Sequence, residues 1–105
     1  MALILAIAPD LMLGSKIEAT LRAAGHEVAL TSSVPEDTGD GALVIADLNR
    51  VDPASAVALG LPVLGFYAHV DVDAREAALA AGVAQAVPRS RLARELPELV
   101  ARLLA

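Results

Sequence analysis

Ala42-Leu43-Val44-Ile45-Ala46-Asp47 is an unbroken apolar run that ends on a carboxylate. Successive side chains of a strand point to opposite faces, so a run without polar alternation predicts a strand covered on both sides. Parallel sheets in α/β proteins meet that condition. Leu3-Ile4-Leu5-Ala6-Ile7-Ala8 has the same character upstream, and Leu61-Pro62-Val63-Leu64-Gly65-Phe66 has it downstream. Two shorter segments, Glu27 to Thr31 and Ala84 to Val87, bring the strands to five.

Helical spacing fills most of the gaps. Leu13, Ile17 and Leu21 fall four apart, with Lys16, Glu18 and Arg22 facing out and Gly25 as the stop. Its start has two readings: Ser15-Lys16-Ile17-Glu18 as a capping box places it near Lys16, and the apolar spacing places it near Leu11. Asp52-Pro53 opens a short helix that Gly60 ends. Asp73-Ala74-Arg75-Glu76 reads as a capping box for a helix through Ala80, stopped by Gly82. Leu92, Leu96, Leu99, Val100 and Leu103 form a last stripe, whose regular part is expected from about Arg94 because Pro97 fits only a first turn. Residues 32–41 are turn formers without helical period. Strands alternating with helices imply βαβ units with right-handed crossovers.

Composition narrows the function classes. The chain has 105 residues, enough for one domain, and is 56% hydrophobic, with Phe66 and Tyr67 its only aromatics. It has no cysteine, which excludes disulfides and thiolate metal sites. A net charge of −5 argues against nucleic acid as the main partner, since phosphate binding needs a basic surface. The apolar start to Ala8 lacks a basic flank and is cut short by Pro9-Asp10, so neither a membrane span nor a signal peptide is expected, and the protein is expected in the cytoplasm.

Several ordered patterns resemble the receiver domains of bacterial two-component response regulators. Gly25-His26-Glu27-Val28 is similar to their turn into strand two, and Leu43-Val44-Ile45-Ala46-Asp47-Leu48-Asn49 to the third strand ending in the phosphorylated aspartate. Pro62-Val63-Leu64-Gly65-Phe66-Tyr67-Ala68 resembles the fourth strand with its switch Thr or Ser. Ala77 to Val83 resembles the end of the fourth helix, and Val87-Pro88-Arg89-Ser90 falls where receivers carry a lysine. The resemblance covers nearly the whole chain. It implies a flavodoxin-like sheet of five parallel strands in the order 2-1-3-4-5, with the site at the carboxyl ends of strands one, three and four.

The resemblance also assigns roles. Receivers move a phosphoryl group to an aspartate with a Mg²⁺ ion, which prefers carboxylates, waters and phosphate oxygens. Asp47 stands at the acceptor position, or else caps a buried strand. The acidic pair after strand one is replaced by Ala8 and Pro9; Asp10, one place later, is a weak metal-ligand candidate with Asp47 or a helix cap. Tyr67 holds the switch position, where a phenol cannot make the short move of a threonine. Arg89 holds the lysine position, either charge-paired with Asp47 or solvated; its planar fork differs in reach from lysine. His26 and His69 are expected at opposite ends of the sheet, so no histidine pair forms a site. Neither a nucleotide-binding glycine fingerprint nor a catalytic triad is present, and no enzyme is expected.

A site with one carboxylate in place of three loses on the order of 1 kcal/mol or more of cation attraction per missing charge. The leading expectation is therefore a pseudo-receiver: a phosphorylation-independent interaction module that needs no cofactor and has no output domain of its own. A divergent receiver with a weak Mg²⁺ site at Asp10 and Asp47 is one alternative. A flavodoxin-like domain binding a nucleotide or other small ligand is another. A link of about ten residues between strands two and three spans roughly 33 Å when extended, enough to cross the sheet without a helix. That leaves one face thinly covered, and this face, or the nearby fourth helix of the receiver pattern, is expected to dock a protein partner or a second copy as a homodimer.

Overall fold

The computed structural model describes residues 2–68 and 72–105. The apolar runs become strands β1 (Leu3–Ile7), β2 (Glu27–Thr31), β3 (Gly41–Asp47), β4 (Val63–Tyr67) and β5 (Gln85–Pro88). The helices are α1 (Leu11–Ala23), α2 (Pro53–Val57), α3 (Val72–Ala81) and α4 (Arg89–Leu104). All strand pairings are parallel, in the order β2-β1-β3-β4-β5. No helix among the described residues is long and apolar enough to cross a membrane.

Alternation along the strands divides the core in two. Ile4, Ile45, Leu64 and Phe66 turn to one face and pack with Ile17 and Leu21 of α1 and Leu92, Leu96 and Leu99 of α4. Leu5, Ile7, Val44, Ala46, Val63 and Tyr67 turn to the other and meet Ala56 of α2 and Ala78 of α3. On the first face Gly14 lets α1 approach closely, since a Cβ there would stand 2.9 Å from Leu30 Cδ1.

Helix ends correct several expected boundaries. α1 starts at Leu11 because the Asp10 carboxylate accepts hydrogen bonds from the Met12 and Leu13 amides; Ser15 lies inside the helix and caps nothing. Its other end closes with His26 N–H donating to Leu21 O and Gly25 N–H to Arg22 O, a Schellman motif that needs the positive φ of Gly25. α3 starts at Val72, which places Asp73 in the first turn rather than at the cap. α4 begins at Arg89, directly after β5, and is interrupted at Glu95 (φ −121°, ψ 16°). Proline lacks an N–H and crowds the carbonyl four residues back, so Pro97 breaks the helix upstream and the expected start near Arg94 marks its second segment. Burial raises the Glu95 pKa, but hydrogen bonds and charge from Arg94 and Arg91 outweigh it and hold the carboxyl below its usual value.

No helix joins β2 to β3, as expected, but the bare apolar patch is not there. Leu5 is 5% exposed and Val44 fully covered. Val34 from the link packs onto this core, and Gly41 permits the approach: a Cβ there would lie 2.9 Å from both Thr38 O and Leu5 Cδ1. The outermost strand adds little to cover, because β2 presents Glu27, Ala29 and Thr31 on this side, the first two exposed.

Candidate functional site

The parallel sheet delivers Asp10, Asp47, Tyr67 and Arg89 to one edge, each at or just after the carboxyl end of a different strand. Asp47 pairs in register with Phe66, and Tyr67 with Pro88. Asp47 is 3% exposed, the one buried charged side chain among the described residues. Its Oδ1 accepts from the Asn49 amide at 3.0 Å, while its backbone oxygen accepts from the amides of Arg50 and Val51. Asp47 thus caps the turn that leaves its buried strand.

Asn49 extends this turn across the site. Its Oδ1 accepts from the Ala68 amide at 2.6 Å, so the loop after β3 is tied to the loop after β4. Sequence reasoning gave Asn49 no role. The Asp-x-Asn spacing signals a side-chain-stabilised turn, but a partner nineteen residues away is not visible in it. Beside it, Leu48 lies over Gly65: a Cβ on Gly65 would come within 2.6–2.8 Å of three Leu48 side-chain atoms.

Arg89 does not bridge to Asp47. Its Nη2 stands 3.5 Å from Asp10 Oδ2, with both side chains substantially exposed, so the pair joins the start of α1 to the start of α4. An exposed ion pair of this kind contributes at most about 1 kcal/mol. Asp10 serves as cap and counter-ion at once. Tyr67 is packed in the second core at 5% exposure. His26 sits in the turn before β2, at the other edge of the sheet, with its buried Nδ1 unpaired; His69 lies outside the described residues. No group of three or more His, Asp or Glu among the described residues is placed to hold a metal ion.

The fold is that of response-regulator receiver domains. A receiver domain from Clostridium thermocellum superposes with a TM-score of 0.84 at 19% identity, covering 99% of this chain and 94% of that one. A LuxR-family DNA-binding response regulator from Staphylococcus aureus matches at 0.84 and 16% identity over the full length of both chains. A response regulator from Chloroflexus aurantiacus reaches 0.83 at 23% identity, covering 98% and 97%. No family model and no curated protein matches the sequence.

Proposed function

We propose that the chain is a signalling module on the receiver scaffold that works by binding a protein partner, without phosphorylation of Asp47 and without catalysis of its own. The observation that carries this is the pairing of Arg89 with Asp10. In a working receiver the cation after β5 and the carboxylates after β1 both serve the phosphoryl group on the β3 aspartate. Here those two substitutes engage each other.

The donor set does not fit the Mg²⁺ ion that the receiver fold implies. Ala8 and Pro9, at the exit of β1, have no side-chain donors. Asp10 has one oxygen on the amides of α1 and the other facing Arg89. That leaves Asp47, whose Oδ1 is engaged by Asn49. Tyr67, buried where the family has a mobile hydroxyl, supports the same reading, because a packed phenol cannot swing without opening the core.

The test is an amide-resolved NMR titration with Mg²⁺ followed by beryllofluoride, a mimic of the phosphoryl group on aspartate. The expected result is a spectrum unchanged around Asp47. Saturable shifts spreading from Asp47 through Tyr67 and Arg89 would establish a divergent but phosphorylatable receiver instead.

A further inference from the structure

The sheet has a free lateral edge at β2, which pairs with β1 alone. The Glu27 amide donates to Ala2 O, and Thr31 O accepts from the Ala8 amide. Alternate residues of a parallel strand turn their main-chain groups to the same neighbour, so Glu27, Ala29 and Thr31 serve β1 while Val28 and Leu30 point theirs outward. One of these outward groups is occupied. Val28 O accepts from Arg22 Nη2 at 3.0 Å, and Arg22 Nε donates to Glu18 Oε2 at 3.0 Å. The guanidinium reaches from the last turn of α1 over the rim of the sheet and is held there by a carboxylate one helical turn back. The Val28 amide and both main-chain groups of Leu30 have no partner among the described residues.

We infer that this edge is the docking strand for a second copy of the chain, and that Arg22 holds it shut in the single copy. Edge strands template pairing unless something blunts them, and a charged side chain over the edge is one such means. A two-fold axis at Ala29 matches the edge to itself. Each Val28 then lies opposite Leu30 of the second copy and exchanges both main-chain bonds with it. Aliphatic side chains meet on that face. On the other, Glu27 meets Thr31 and Ala29 meets its own twin, so no like charges are opposed. The same axis sets the two α1 helices side by side on one face. Leu11, 76% exposed, shares a stripe of α1 with Glu18 and Arg22, on the side turned to the second helix. Arg22 is the obstacle, because its guanidinium fills the place that the Leu30 amide of the second copy must take. The interface makes no use of Asp47, so it stands or falls apart from the reading above.

The experiment follows the mass of the full chain against concentration by analytical ultracentrifugation, and its amide exchange by NMR. Arg22→Ala should tighten dimerisation about tenfold, since it frees Val28 O in both copies. The Val28 and Leu30 amides should become protected as that dimer forms. Glu18→Gln loosens the guanidinium without removing it and should give a smaller gain of about threefold. Ala29→Lys in the Arg22→Ala background should restore the single copy, because it sets two lysines face to face on the axis. Arg22 and Ala29 are exposed, so these variants keep the fold, which their unshifted core resonances will show. An Arg22→Ala chain that dimerises no more tightly than the unaltered one would overturn the guard. A dimer whose Val28 and Leu30 amides still exchange freely, or which persists with Ala29→Lys, would overturn the interface.

Discussion

The two faces of the sheet are covered by different means. Under α1 and α4 the core is built from large side chains, Phe66, Ile4, Leu21, Leu92 and Leu99 among them, all essentially out of water. Under α2 and α3 the helices contribute small side chains, with Ala56 and Ala78, and Ala46 and Ala86 of the sheet, set among Leu5, Ile7, Val44, Val63 and Tyr67. Two long helices each contribute several large apolar side chains to the first core, Ile17 and Leu21 from α1 and Leu92, Leu96 and Leu99 from α4. On the other face a five-residue helix, a ten-residue helix and an irregular link do the covering, and the two helices meet the sheet through Ala56 and Ala78. A face covered by short helices and a link is therefore not an open one, since Leu5 is 5% exposed and Val44 fully covered.

That contrast can be broken by substitution. The largest effect should come from Leu99→Ala on the α1–α4 face, which removes a fully buried side chain and should cost about 2–5 kcal/mol of stability in a denaturant titration. Gly65→Ala on the α2–α3 face should come next. Leu48 fills the place of the missing Cβ, and overpacking of this kind costs about 1–3 kcal/mol. The same variant should shift the Asn49 and Ala68 amides, because Leu48 sits in the loop that they tie. Val34→Ala should have the smallest effect, about 1 kcal/mol for a half-buried side chain losing two methyl groups. If Val34→Ala proved as costly as Leu99→Ala, the link would carry as much as a helix and the contrast would fail.

The fold was legible because both-faced burial leaves a direct trace. Leu43 to Ala46 has no polar residue to spare, and the glycines after α1 and α3 mark where the chain turns back. Element ends were less legible. Ser15 and Glu18 satisfy a capping pattern as well as Asp10 does, and only the backbone direction at Asp10 decides between them. At the site the residue types were readable and their partners were not. Arg89 lies 79 residues from Asp10 in the chain, and nothing local distinguishes that pairing from one with Asp47. The bare sheet expected beside the β2–β3 link is absent for a further reason: counting helices ignores the polar outer face of β2 and the inward turn of Val34.

The link between β2 and β3 also has a bearing on how this scaffold tolerates change in length. Val34 and Gly41 hold its two ends against the sheet, while Glu36 and Asp37 between them are exposed. Doubling a flexible loop adds only about 0.6 kcal/mol of closure entropy. Extra residues placed at Glu36–Asp37 would therefore leave the register of the neighbouring strands intact, which makes this short crossing a natural splice point for grafted peptides or inserted domains.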